Sequence, residues 1–538
     1  MRFYKTNRLT DLINKGRAAL FIVASCALFP VQPGAQTNLP APTSALPLLG
    51  DGSGITSSAE RRLGDRIARE LYRDPDFIDD PVLGDYVQGI WQPLLAAARH
   101  RGELTPELDE RFAWRILLGK DRSVNAFALP GGYLGVHLGL MAVVSSRDEL
   151  ASVLGHELSH VTQRHIARLI AKDEQQSPWM IGAMILGVLA ASKNPETGNA
   201  LIVGSQAVSA QNQLNFSRDM EREADRIGFG VMTQAGFEAQ GFVTMFDKLQ
   251  QASRLNDSGA YPYLRSHPLT TERIADMQSR LPLGAPHPNQ IIPTLAHAML
   301  TARARVLSNP GADALRSWQA QANDPALARQ PASIQAGVFY GAALAAIRLR
   351  EVAQARSAFK PLQALVTADA EAARQARWLG IEIALTARDL PRQQVLALGE
   401  QVGMNQTDIS TLRRPELLLQ AQIALQSGQA EALNLMAQRL QSWVSAQPLD
   451  ALAWQWLGSI YAAQNQPQPA LRAEAEGRVA YLDYAGALDR LKAAQDQLRA
   501  SGAGSTSAEH IDASIIDTRR RQLDAQQKAL LKEQALER

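Results

Sequence analysis

Apolar positions along this chain recur at two spacings, and the changes between them mark out its parts. From Ser58 to Arg101 they return every four residues, as at Leu63, Ile67 and Leu71, with a second run from Val82 to Ala98. That spacing keeps one face of a helix buried. Phe112–Leu118 is instead dense in strand formers, and Asn125–Leu138 reads as two short strands about the turn Pro130-Gly131-Gly132. A small sheet follows. Asn125, Gly131, Gly132, Tyr133 and Gly135 predict a strand edge with little side-chain cover, along which an extended peptide could pair; a plain hairpin whose glycines only make the turn is the alternative. Ser146-Arg-Asp-Glu149 is a capping box, so a helix should begin there and run to about Ile170. Leu150, Leu154, Leu158 and Val161 form its apolar stripe.

Further on, Trp179–Ser192 and Ala200–Ala210 are almost continuously apolar. Both are shorter than the roughly 20 residues a bilayer span needs, which predicts buried hairpin helices, with a membrane-facing or substrate-facing flap as the sharper alternative. From about Ile291 to Ala500 the chain is rich in Ala, Leu and Gln and reads as successive helices. Trp454-x-x-Leu457-Gly458-x-x-Tyr461 with Ala470 matches the tetratricopeptide consensus; Phe339–Phe359, Trp378–Val395 and Leu417–Leu440 match it loosely. Turns expected at Arg350, Arg388, Ser427 and Gln464 recur about every 38 residues, which predicts an α-solenoid with a concave face for peptide or protein partners. After Gly502 come a polar break and a charged, mobile helix.

With 538 residues, two or three domains are expected. The formal charge of +2, with both signs interspersed, makes no case for nucleic acid and leaves peripheral membrane contact open. Basic residues from Arg2 to Arg17 precede the apolar run Ala18–Phe29 and then Pro30 and Pro33, the layout of a secretory signal peptide ending near Ala35. Export is implied. Val23-Ala24-Ser25-Cys26 also resembles a loose lipoprotein box, in which Cys26 would carry the lipid. Cys26 is the only cysteine, so the mature chain has no disulfide and any metal site must use histidines and carboxylates. The expected divisions are a signal peptide at 1–35, a linker at 36–55, a first domain at 56–285, helical repeats at 286–500 and a charged tail at 501–538.

His156-Glu157-Leu158-Ser159-His160 carries the chemistry. Two histidines four apart project from one helix face about one turn apart and can share a metal, and the intervening glutamate can stand beside it to accept a proton. Leu154 and Leu158 lie about 200° from the histidines, so the packed face and the histidine face should be opposed, as in a cleft-lining helix. His165 falls about 180° around the same helix from His156, out of reach of that metal. A further ligand is expected from Glu221-Arg-Glu-Ala-Asp225-Arg-Ile-Gly228, where Glu221, Asp225 and Gly228 share a face. One carboxylate would ligate, the other would accept an imidazole N–H, and Gly228 would let two helices approach closely.

These motifs, with Ser266-His267-Pro268 and Arg273 after them, occur in the order found in the HtpX-type and CAAX-prenyl-protease-type zinc peptidases, the gluzincins. The chain most resembles the periplasmic β-barrel assembly-enhancing proteases, firmly over residues 56–282 and more loosely through the repeats. The resemblance implies an α+β zincin-like metallopeptidase domain, mostly helical with a small sheet, followed by an all-α tetratricopeptide-repeat solenoid. It implies one zinc ion per chain held by His156, His160 and Glu221, Glu157 as general base and acid, and Asp225 orienting a histidine. Glu223 is a rival ligand, but lies about 200° from Glu221 on its helix. His267 would close the open zinc position and hold the enzyme latent, and Arg273 would support the site or the oxyanion. Such a protein would cleave misfolded or misassembled envelope proteins, with the repeats recruiting substrates or the outer-membrane assembly machinery. The alternative is a chaperone-like binding factor whose protease site is largely latent.

Overall fold

Helices in the first half start at side chains able to cap them. Thr56 accepts from Ala59 N–H at the start of α1 (Ser57–Arg73), and Asp80 accepts from Leu83 N–H at the start of α2 (Pro81–His100), where Pro81 has no N–H to lose. Both helices bury their apolar stripes, Leu63 and Ile67 on one, Ile90, Trp91 and Leu94 on the other. The computed structural model describes residues 55–172, 216–254, 261–281, 293–407, 410–500 and 507–536, with single positions between 180 and 187. The expected signal peptide with Cys26, almost all of the linker and most of the two apolar runs lie outside these residues. Among the described residues no helix is long and apolar enough to cross a membrane.

Four short strands, β1 (Phe77–Ile78), β2 (Arg115–Gly119), β3 (Ala126–Leu129) and β4 (Tyr133–His137), form one mixed sheet in the order β1-β2-β4-β3. β4 runs parallel to β2 and antiparallel to β3. The two strands expected about Pro130-Gly131-Gly132 are therefore present, but the open edge is not where it was expected. β4 (Tyr133–His137) is interior, paired with β2 on one side and β3 on the other, and the outer strand is β3, which begins just after Asn125. Gly131 (φ 72°) and Gly132 (φ 84°) serve the turn and its packing instead. A Cβ on Gly131 would come within 2.7 Å of the Arg61 backbone and one on Gly132 within 2.8 Å of Phe112, because α1 and the chain leading into β2 lie against the turn. Gly135 is covered by its cross-strand partner Phe127, and Tyr133 is buried with its hydroxyl donating to Asp65 at 2.7 Å.

After α3 (Pro106–Arg111) and α4 (Leu138–Val143) comes α5 (Arg147–Thr162), capped by Ser146, whose Oγ accepts from Glu149 N–H. The helix stops well short of Ile170. Arg164 adopts φ 51° and breaks it, and α6 (His165–Lys172) leaves in a new direction that buries Ile166, Ala167 and Ile170. From Glu149 to Thr162 every residue of α5 is buried, so its histidine face is covered rather than lining an open cleft. After residue 215 the described residues of this half form α7 (Arg218–Gln234), α8 (Gln240–Arg254), α9 (Tyr263–Ser266) and α10 (Thr271–Ser279).

The described residues of the second half fold as helices and their connections: α11 (Leu295–Ser308), α12 (Ala312–Gln321), α13 (Ala332–Arg348), α14 (Val352–Leu365), α15 (Ala370–Ala387), α16 (Arg392–Glu400), α17 (Arg414–Ser427), α18 (Ala430–Ala446), α19 (Ala451–Ala463), α20 (Pro467–Ala480), α21 (Tyr484–Ala500) and α22 (Ser507–Leu536). Left-handed residues fall at Arg350, Arg388, Gly428 and Asn465, on or one residue past the expected turns. The last helix is no free tail: Ile516 and Leu523 are buried against α20 and α21, and Arg519 bonds Glu476 through both carboxylate oxygens.

The two halves do not separate. Residues Gly52–Arg538 form one compact unit, and adjacent carboxylates ahead of α2 are each gripped by an arginine from the helical half. Arg414 bonds Asp79 at 2.7 and 2.8 Å while also bonding Asp450. Arg303 bonds Asp80 at 2.8 Å through each of two nitrogens, and Glu382 on its other side.

Candidate metal centre

α5 and α7 cross where neither has a side chain. A Cβ on Gly228 would lie 2.9 Å from the Gly155 carbonyl carbon and the His156 nitrogen, so the backbones touch there, as expected for Gly228. This contact sets His156 and His160 against Glu221 and Asp225, which Ser217 starts on their helix by accepting from Met220 N–H. His267, at the end of α9, comes in from a third side.

The result is a tight cluster. His156 Nε2 is 3.0 Å from His160 Nε2 and 3.3 Å from His267 Nδ1, and His267 Nδ1 is 3.0 Å from Glu221 Oε1. Glu221 oxygens lie 3.5 Å from His156 Nε2 and from His160 Nε2. All four donor atoms fall within 4.8 Å of one another. Metal–ligand bonds of about 2.0–2.1 Å at tetrahedral angles place ligand atoms roughly 3.3 Å apart, so these residues fit a zinc-sized ion with nitrogen and oxygen ligands. Imidazole nitrogens facing one another at such distances have nothing to bond except a shared proton or a cation.

Surrounding groups set which imidazole nitrogen faces that point. Asp225 Oδ1 lies 2.9 Å from His156 Nδ1 and Arg273 grips both Asp225 oxygens at 2.6 and 2.7 Å, which holds the Nδ1–H there and turns the Nε2 lone pair inward. Arg273 Nη1 also lies 2.7 Å from Glu221 Oε2, so this buried arginine pairs with both Glu221 and Asp225 of α7. His160 is held by a group the helical-wheel reading set aside. The break at Arg164 swings His165 back until its Nδ1 is 2.8 Å from His160 Nδ1, with its Nε2 3.1 Å from Glu223. Burial depresses the His165 pKa to about 4, against the upward pull of Glu223, so a neutral His165 donates to Glu223 and accepts from His160. Glu223 is thus no ligand but the end of a relay. Phe216 stacks on His160 and Tyr263 on His267, with ring centres 3.9 and 4.5 Å apart. No spacing rule marks His165, Phe216 or Tyr263; the only signal is their nearness in sequence to His160, Glu221 and His267.

The electrostatics suit a cation. Burial opposes charge on His156, yet Asp225 and Glu221 outweigh it and hold its pKa up to about 10, while burial and the neighbouring His156 push His160 well below the usual histidine range. Glu221 stays ionised despite burial because His267 and His156 face it. A divalent ion bound at this point would be favoured by the ionised carboxylates and would compete with protons for the imidazole nitrogens. Glu157 stands at the edge of the cluster, 3.5 Å from His267 Nε2, fully buried, and neither carboxylate oxygen has a hydrogen-bond partner. Such a group is costly to keep for structure alone. Asn125, which ends just before β3, is buried, whereas Gly131, Gly132 and Tyr133 belong to the turn and strand on the far side of β3.

Comparison with known proteins agrees with this geometry. The model of Peptidase family M48 matches residues 105–281, which contain every residue of the cluster. The β-barrel assembly-enhancing protease of Escherichia coli K12 is 30% identical over 495 residues, 89% of this chain and 92% of that one. A putative β-barrel assembly-enhancing protease of Vibrio cholerae is 33% identical over 335 residues, 61% of this chain and 65% of its own length. The mitochondrial metalloendopeptidase OMA1 of Saccharomyces cerevisiae is 28% identical over 201 residues, 36% of this chain. With buried His-Glu-x-x-His chemistry and a relative matched over nearly its whole length, the chain belongs to peptidase family M48 as a homologue of the β-barrel assembly-enhancing proteases, and is a metallopeptidase.

Proposed function

We propose that the chain is an exported, zinc-dependent endopeptidase that hydrolyses peptide bonds of misfolded or misassembled envelope proteins. The observation that carries this is the convergence of His156, His160, Glu221 and His267 on one point beside the unpartnered carboxylate of Glu157. His156, His160 and Glu221 would hold the ion, which when bound supplies Lewis acidity to the scissile carbonyl and acidifies a water. Glu157 accepts the proton of the attacking water and returns it to the leaving amine. Asp225 and Arg273 keep His156 in its tautomer, and the His165–Glu223 relay does the same for His160. An extended substrate would pair along the outer edge of β3, next to Asn125, which suits selection by backbone accessibility.

His267 is read as the latch. It occupies the fourth corner of the cluster, where a substrate carbonyl would have to enter, and with its neighbours it is almost wholly buried. This favours, as a second state of the same protein, a latent form that acts chiefly as a binding factor. The helical half is read as tetratricopeptide repeats that recruit substrates or the outer-membrane assembly machinery. In support, Leu457, Tyr461 and Ala470 of the consensus match are buried, with Gly458 against the Ala470 backbone where α19 meets α20.

The test compares wild type and Glu157→Gln for metal content and casein cleavage. The variant should retain metal and lose cleavage; continued proteolysis by the pure variant would remove Glu157 as the base. His267→Ala should raise cleavage, and an unchanged rate would remove the latch.

A further inference from the structure

A cavity of about 210 Å³ lies between α11, α12, α13 and the Val143–Ser145 segment that leads into the signature helix. It takes no part in the metal centre. Its walls are mostly apolar, with Val143, Val306 and Val338 among them, and Ile334 is exposed at its rim. Three polar side-chain atoms on these walls are buried without a hydrogen-bond partner: Thr301 Oγ1, Ser333 Oγ and Trp318 Nε1. Thr301 and Ser333 are only 8% and 5% exposed. Each such orphan costs free energy that an apolar isostere would save. Three around one cavity are hard to account for as packing.

All three can donate a hydrogen bond. The indole N–H of Trp318 can only donate, and the two hydroxyls can donate freely. Arg305 adds a guanidinium: its Nε donates to Ala142 O at 3.0 Å, and no carboxylate pairs with it among the described residues. No Asp or Glu lines the cavity. The missing partner is therefore an acceptor-rich, anionic group with an apolar body. The volume is below the roughly 300–1,000 Å³ of a drug-sized pocket, and fits about one side chain.

We propose that this cavity binds a carboxylate carried on an apolar group of about that size, with Arg305, Trp318, Thr301 and Ser333 as its donors. Two sources share this chemistry, the C-terminal residue of a polypeptide and a free short-chain fatty acid. Either would press on Val143–Ser145, one residue from the N-cap of α5.

The experiment uses the full chain, fluorescence polarisation and three probes: a labelled peptide ending in leucine with a free carboxylate, the same peptide amidated, and hexanoate as competitor. Binding of the free-acid peptide with amidation weakening it about tenfold or more supports a polypeptide terminus. Displacement by hexanoate at a concentration matching its own direct binding supports a small acid. Thr301→Val and Trp318→Phe should each weaken binding several-fold, while the thermal midpoint of the ligand-free protein stays or rises, because an orphan polar atom has been removed. Absence of saturable binding by all three probes overturns the proposal. So does unchanged affinity in both variants, or a lowered thermal midpoint in both, which would mean that these groups serve the fold.

Discussion

Gly228→Ala tests the contact on which the metal centre is built. In a helix interior, alanine is favoured over glycine by about 0.8–1 kcal/mol, so propensity alone predicts a more stable protein. The new Cβ, however, would sit 2.9 Å from the Gly155 carbonyl carbon and the His156 nitrogen, where carbon atoms normally stay about 3.5–4.0 Å apart. Neither partner is a side chain that can swing away. α7 must retreat from α5 by about 0.6–1 Å, at an overpacking cost of about 1–3 kcal/mol that outweighs the propensity gain. The net loss is up to about 2 kcal/mol. Glu221 and Asp225 ride on α7, and metal sites tolerate only about 0.2 Å of ligand displacement, so zinc affinity should fall about tenfold or more. Urea melts of the metal-free protein and competition with a chromogenic chelator measure the two effects. Gly84→Ala is the control, because its Cβ would meet nothing closer than Arg414 Nη1 at 3.7 Å and should only gain stability. A Gly228→Ala protein that is stabilised and binds zinc as wild type would refute the account of how the helices are held.

Other expectations follow from neighbouring contacts. His165→Phe leaves His160 Nδ1–H without its acceptor, and chelator competition should show zinc affinity lowered about 10–100-fold with every ligand still present; unchanged affinity would dismiss the relay. Arg303→Met strands the buried Asp80 carboxylate and should cost about 3–5 kcal/mol in a urea melt, with Asp80→Asn on the same background recovering part of it; a loss under about 1 kcal/mol would mean that the arginine does not hold the halves together. His297 supplies a pH dependence. Its Nε2–H donates to Val144 O, leaving Nδ1 to accept from Tyr86, and burial holds its pKa below the ordinary 6.5. The unfolded chain therefore takes up a proton near pH 6.5 that the folded one refuses, and stability falls as pH drops through that value, by at most about 1.4 kcal/mol per unit. His297→Gln should make the slope shallower, and an equal slope would assign the dependence elsewhere.

What the sequence determined by itself was local. His156, Glu157 and His160 are tied together by helical period, as are Glu221 and Asp225, and a four-residue spacing needs no tertiary knowledge to place two side chains on one face. The helix-to-helix turns near Arg350, Arg388, Gly428 and Asn465 were legible because apolar periodicity lapses there. The tertiary structure decided everything that depends on a partner distant in the chain. Whether Gly131, Gly132 and Tyr133 form an open edge rests on which strand lies beside β4, and both of its sides are taken. Periodicity assumed that α5 ran on, whereas the left-handed Arg164 breaks it and turns His165 from a bystander into the support of His160. The charges that dominate the composition of the last helix point to a free tail, yet Ile516 and Leu523 are enough to dock it once α20 and α21 are there to receive them. Spacing along a helix is set by the bonds of the backbone, while burial, pairing and access are set by whatever the rest of the chain brings alongside.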